Sequence, residues 1–287
     1  MGFVYRNKNN EEINLTQRNI KIINIEGISS LTNEINTTTG VNQSGETYVS
    51  NRVEPRDIDI LLRLKTTEDE FRTLKSKLIK VFNPALEGEL ILKSINGDKK
   101  ISVRVKVSPD FKNTSYKTNK EVDISLVALD PYWKDINETK TEIAVWKGSF
   151  SFPLFINVEN GTMMGYREPS LIVNTNNIGD VKTGMRIEFK ALGTVVNPKL
   201  VNVETQDFIK INKTLEKDEI IEVTTDFSNK RVIFSKNGIT ENAFNYWDLY
   251  STFLQLEIGD NLFRYDAEDG LDNLEVSIYH TSRYLGV

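Results

Sequence analysis

The chain has 287 residues, a formal net charge of −5, 39% apolar residues and no cysteine. That length exceeds one typical domain and suits about two, and a chain of this size buries roughly three quarters of its unfolded surface without covalent staples. The missing cysteine excludes disulfides and thiolate metal sites, and the acidic balance speaks against a dedicated nucleic-acid binder, whose phosphate contacts require a basic face.

Met1 to Glu12 is polar, so no signal peptide or membrane span is expected to begin the chain, and no later stretch is apolar for long enough to span a bilayer. Phe3 to Tyr5 and Ile20 to Ile25 are short apolar stretches that read as two strands joined by a polar turn. Between Ser29 and Asn51 the pattern dissolves into Thr, Asn, Gly and Ser, with Thr37, Thr38 and Thr39 in a row. A connection of that length without its own elements is uncommon in a compact domain unless it works or wraps something, so it is expected as a long extended arm.

Regularity returns at Arg56. In RDIDILLRLK, Ile58, Ile60, Leu62 and Leu64 share one face, while Asp57, Asp59, Arg63 and Lys65 share the other with Leu61, which is the period of a half-buried strand. Thr67 and Glu70 form a capping box that opens a helix. Phe71, Leu74, Leu78, Ile79 and Phe82 recur at helical spacing until Asn83 and Pro84 close it. Three strands are expected next, over Glu89 to Ile95, Ile101 to Val107 and Glu121 to Leu129, the first two joined by the turn Asn96-Gly97-Asp98.

In the third of these, Val122, Ile124, Leu126 and Ala128 point one way, and Asp130 and Pro131 end it. Pro131 has no amide hydrogen for a ladder and pushes Asp130 out of the helical region. Tyr132 and Trp133 carry large apolar faces just past that exit, so Asp130 to Trp133 is expected to plug one domain onto the next.

These patterns place a mostly β domain with one helix over residues 1–135, a linker over 136–148 and a domain of strands alone over 149–287. In the last, short strands are expected over Phe152 to Val158, Ser170 to Asn174, Met185 to Lys190, Lys199 to Val203, Asp207 to Ile211, Glu219 to Val223, Arg231 to Ser235, Phe253 to Ile258, Leu262 to Tyr265 and Asn273 to Tyr279. Gly179-Asp180, Asn237-Gly238 and Asp269-Gly270 mark tight turns. The fold class is mainly β: an α+β first domain, then a β-sandwich of the jelly-roll or lectin-like kind.

Chemistry is thin along this chain. Gly40 to Thr47 has the glycine spacing of a phosphate loop, but Glu46 stands where that loop requires lysine. His280, the sole histidine, reads as a satisfied surface or edge residue. Asp266, Glu268, Asp269 and Asp272 miss the EF-hand order and read as a solvated turn. No pair of carboxylates is brought to the separation a glycosidase needs. The basic residues between Lys99 and Lys120 read as a solvated or subunit-contacting face. No catalytic residue, cofactor or metal is therefore expected. Tyr166, Trp247 and Tyr250, with Phe253, have the ring types of a sugar-stacking platform and equally those of core or interface packing.

The stretch RDIDILLRLKTTEDEFRTLKSKLIKVFNP from Arg56 to Pro84, the two strands after it and VALDPYW from Val127 to Trp133 resemble the distal tail proteins of siphophages and related tail-like particles. GDVKTGMRIEF from Gly179 and LEIGDNLFRY from Leu256 extend the resemblance toward the carboxy terminus. It implies a non-enzymatic virion tail protein, made in the bacterial host cytoplasm, whose first domain forms a homohexameric ring between tail tube and tip. Its partners are then copies of itself, the tail tube protein, a tail-tip or tail-associated lysin hub protein and a receptor-binding protein. DNA or the tape-measure protein passes through the central channel without specific binding, and no membrane is involved. The arm looks like the family's belt around a neighbouring subunit, with Thr37, Thr38, Thr39 and Tyr48 in contact, and Asp57, Asp59, Arg63 and Lys65 add ring contacts from the strand. A second reading, from another class, is a carbohydrate-binding adhesin acting through Tyr166, Trp247 and Tyr250; a third is a glycosidase.

Overall fold

The structure is a computed structural model that describes residues 2–95, 97–112, 119–143, 146–148, 165–167 and 172–287, with backbone only at 119, 146–148 and 165–167. The chain divides into two units: Met1–Ile136 together with Arg283–Val287, and Asn137–Ser282. The first unit is thus completed by residues from the far end of the sequence. Residues 136–148, expected as a linker, contain a strand of the second unit.

The first unit holds β1 (Gly2–Asn7), β2 (Glu12–Asn14), β3 (Ile20–Glu26), β4 (Asn33–Thr38), β5 (Thr47–Val53), β6 (Arg56–Lys65), α1 (Glu68–Val81), β7 (Glu87–Lys93), β8 (Lys99–Lys112), β9 (Asn119–Ala128) and β10 (Trp133–Asp135). Its main sheet runs in the order β2-β1-β7-β8-β9-β6-β3, with β10 beside β8. The alternation read in the sequence fixes the register at its centre, where Ile58, Ile60 and Leu62 stand opposite Leu126, Ile124 and Val122. All six are buried, and slipping one residue would turn every one of them to water.

The Glu70 carboxylate takes the Thr67 amide at 2.9 Å and starts α1, whose Leu74, Leu78 and Val81 face the core. Phe82 ends the helix and stacks on Tyr5, ring centroids 4.1 Å apart. Each such side chain contributes roughly 1.5–3 kcal/mol by leaving water. The polar turn expected between the first two strands contains β2.

The second unit holds β11 (Thr139–Ile143), β12 (Trp146–Gly148), β13 (Gly165–Arg167), β14 (Ile172–Asn177), β15 (Met185–Ala191), β16 (Val195–Val196), β17 (Lys199–Asn202), β18 (Phe208–Lys210), β19 (Thr214–Leu215), β20 (Ile220–Asp226), β21 (Asn229–Lys236), β22 (Ile239–Asn242), β23 (Gly259–Asp266) and β24 (Leu274–His280). A sheet ordered β11-β24-β15-β20-β21-β22 and another ordered β14-β23-β17-β18 share one apolar core, with Phe189, Val223 and Ile278 from the first and Leu200, Ile209 and Phe263 from the second. This is a β-sandwich, as expected. Asn237 and Gly238 both take positive φ in the turn between β21 and β22, a geometry that Asn tolerates and that glycine, having no Cβ, adopts freely.

Two expectations fail here. Phe253 to Ile258 is not a strand; Leu254 and Leu256 are buried from irregular chain, with a single bridge from Leu256 to Thr183. His280 is buried at 3% exposure inside β24 rather than lying at the surface. The strand expected over Phe152 to Val158 lies outside the described residues. Among the described residues no helix is long and apolar enough to cross a membrane.

Candidate interaction surfaces

The stretch expected as a structureless arm is a hairpin. Among the described residues β4 and β5 pair only with each other, and every residue from 33 to 52 is exposed. Polar side chains fasten it across its width: Thr37 Oγ1 to Glu46 at 2.5 Å, Arg52 to Glu34 at 2.8 Å and Asn51 Nδ2 to Asn33 Oδ1 at 3.2 Å. The register shifts between Asn36 and Thr37, which leaves Val49 unpaired as a bulge. Thr38 faces Thr47 and Thr39 follows the strand end, both exposed. The apolar residues find no cover: Ile35, Tyr48 and Val49 are each about 60% exposed and Val41 97%.

At its root the hairpin is held tightly. Gly27 turns the chain out of β3 with φ +79°, and a Cβ there would fall 1.9 Å from the Asp57 carbonyl oxygen. Arg56 begins β6 with its side chain buried on the same side as Ile58 and Ile60. Its guanidinium donates only to carbonyls: Nε to Pro131 at 2.9 Å, Nη1 to Gly27 at 2.8 Å and Ile28 at 2.7 Å, and Nη2 to Leu285 at 2.5 Å. Burial pulls its pKa below the ordinary value.

Asp130, Pro131, Tyr132 and Trp133 were expected to plug the domain boundary, and in the structure they serve the first unit's own core. Trp133 is fully buried there, and its Nε1 donates to the Ile28 carbonyl at 2.9 Å. The closing strand β25 (Arg283–Tyr284) pairs with β10. Arg283 reaches Asp130 at 2.5 Å and lies over the Tyr132 ring, and the Tyr284 hydroxyl donates to Asp135 at 3.0 Å. Burial acts to raise the Asp130 carboxyl, but Lys134 and Arg283 beside it override that and hold it below the usual carboxylate range.

The strand residues expected at a subunit contact do lie on the outer face of the sheet, and three of the four are matched within their own sheet. Asp57 takes Lys106 at 2.9 Å, Asp59 takes the Ser125 hydroxyl and Arg63 pairs with Glu121 at 2.8 Å, whereas Lys65 is exposed at the strand end. Such exposed pairs contribute little. β8 bulges between Val105 and Asp110, and a concavity of about 420 Å³ opens beside it, lined by Glu26, Asp59, Leu61, Val107, Asp110 and Asp123.

Of the residues expected to stack sugar, Trp247 and Tyr250 have described side chains. Trp247 lies face to face with Phe253, centroids 4.3 Å apart and planes 14° apart, and the Lys230 ammonium sits 4.8 Å from the Phe253 ring centre. One face of the indole is thereby covered. Tyr250 projects from the turn that follows Asp248, 84% exposed. The side chain of Tyr166, on β13, lies outside the described residues.

Residues 8–128 match the family model for the "Phage tail protein RIFT-related domain", and residues 178–284 match that for the "Siphovirus-type tail component, C-terminal domain". Among solved structures, the SPP1 Dit protein, titled a paradigm of hub adsorption apparatus in Gram-positive infecting phages, superposes with a TM-score of 0.72 at 12% identity, covering 98% of each chain. The phage P2 baseplate in its activated conformation, solved with Ca and with Sr, gives TM-scores of 0.57 at 12% and 11% identity, covering 100% of this chain and 99% of theirs. At these identities the likeness is one of fold. No curated protein matches.

Proposed function

We propose that this protein, a member of the siphovirus distal tail protein family and so a structural component of the phage tail, closes into a homohexameric ring that joins the tail tube to the tail tip. The observation that carries this reading is the hairpin of β4 and β5. A lone two-stranded hairpin is marginal in water, and this one leaves Ile35, Val41, Tyr48 and Val49 uncovered. A neighbouring copy supplies the surface that covers them. Each copy then gives one arm and receives another, a head-to-tail contact that ends only when the ring closes.

The outer face of the sheet, with Asp57, Asp59, Arg63 and Lys65 and the concavity beside β8, adds to the contact between copies. Tube protein meets one side of the ring and a tail-tip or tail-associated lysin hub protein the other, with a receptor-binding protein as a further partner. The net charge of −5 repels phosphate, so DNA traverses the channel without being held. The protein works by shape, without catalysis. A saccharide-binding sandwich has weaker support, because Phe253 already covers a face of Trp247.

Negative-stain microscopy of concentrated protein tests the ring, alongside a chain in which residues 33–53 are replaced by a short Gly-Ser link. Annular particles with hexameric symmetry are expected from the full chain and not from the shortened one. Rings that form equally well without the arm, or solitary subunits inside purified tails, overturn the reading.

A further inference from the structure

We propose that Arg283–Val287 is a latch that sets the direction of the arm, and that Arg56 is the positioning residue through which it acts. Three pieces of chain, distant in sequence, meet on one guanidinium: Gly27 and Ile28 where the arm leaves the sheet, Pro131 after β9, and Leu285 in the latch. A guanidinium is planar, and its donors leave in fixed directions, so these carbonyls are placed relative to one another and not merely gathered.

The latch touches the arm root a second time without any side chain between them. Gly286 lies so close that a Cβ there would come within 2.7 Å of the Ser29 carbonyl oxygen. Its other contacts anchor it to the body: β25 pairs with β10, Arg283 pairs with Asp130, and the Lys99 ammonium sits 3.4 Å from the Tyr284 ring centre. One end is thus fixed to the sheet and the other to the point where the arm begins.

Removing the latch takes the Leu285 acceptor from Nη2. A buried charge with a donor left open is unfavourable, so the guanidinium swings toward water and releases Gly27 and Ile28 with it. Ile58, Ile60 and Leu62 and their partners on β9 make no part of this arrangement, so the main sheet persists while the arm swings.

The chain has no cysteine, so single cysteines can carry spin labels without background. One pair, Val41→Cys with Lys77→Cys, reports the arm tip against α1; another, Lys77→Cys with Glu89→Cys, reports the body alone. Distances are measured by pulsed electron resonance at dilution, on single copies. The arm's role as a clasp rests on the ring reading, but this measurement does not depend on ring closure. In the full chain the Val41–Lys77 distribution is expected to be narrow. In a chain ending at Ser282, and in the full-length Arg283→Gln, Tyr284→Ala variant, it is expected to widen about twofold or more while the body pair is unchanged. A distribution already wide in the full chain, one that stays narrow in both variants, or widening of both pairs together overturns the proposal.

Discussion

Replacing Gly27 with alanine tests the arm root at the level of single atoms. The substitution has two separable effects. At φ +79° a side chain meets the left-handed penalty, about 1–2 kcal/mol. The new Cβ also lands 1.9 Å from the Asp57 carbonyl oxygen, backbone that cannot rotate away, so β3 must part from β6 at this end. That movement breaks the 2.8 Å bond from Arg56 to the Gly27 carbonyl, and a hydrogen bond to a charged group is worth about 1.5–3 kcal/mol. The sum is about 2.5–5 kcal/mol, a fall in melting temperature on the order of 10 °C for a unit of this size. Gly97 supplies the control: its φ is +102° and a Cβ would meet nothing within 4 Å, so Gly97→Ala is expected to cost about 1–2 kcal/mol. Urea denaturation of both variants, followed by far-ultraviolet circular dichroism, gives the difference. Equal losses would refute the crowding at Asp57, and with it the tight root.

Tyr5 is fully buried, its hydroxyl has no hydrogen-bond partner among the described residues, and burial pushes its pKa up to about 12. Tyr5→Phe should therefore raise stability by about 1 kcal/mol in the same assay; a loss of that size would mean that the hydroxyl is bonded. Glu70→Ala removes the cap from α1 and should lower stability by about 1 kcal/mol, with helical signal lost first from that end in amide exchange. The Asp130 carboxyl is held below its ordinary value by Lys134 and Arg283, so its stabilising effect is complete above the unfolded value of about 3.9 and disappears as pH falls through the lower folded one. The stability gap between wild type and Asp130→Asn should accordingly be constant near neutrality and shrink progressively as pH falls below about 4; a gap that does not shrink on acidification would place the effect elsewhere. Trp247→Ala should lower the melting temperature of the second unit while leaving binding to saccharide arrays unchanged.

The strands that carry the first unit were legible because each buries one face only. β6 and β9 show their alternation directly, and the Thr67–Glu70 pair announces α1. β4 and β5 were not legible: neither face of the hairpin is buried, so no apolar period exists to be read. Arg56 stood in plain view on the same parity as Ile58 and Ile60, a cation on the buried side of a strand. What it does there depends on carbonyls from Gly27 to Leu285, which no local pattern brings together. Trp133 was recognised as a large buried ring, but its partner, Ile28, lies on the far side of the arm. In the second unit, the apolar run at Phe253 to Ile258 imitates a strand because irregular chain can alternate Leu254 and Leu256 inward as well.

The second unit is an insertion between β10 and β25 of the first. On the ribosome the residues that finish the first unit therefore emerge only after Asn137–Ser282 has been made, a delay on the order of ten seconds at about 5–20 residues per second. A nascent chain that stalls within the insertion lacks Leu285 and leaves Arg56 without its final acceptor. The arm root is thus completed only once the whole of the second unit has been synthesised.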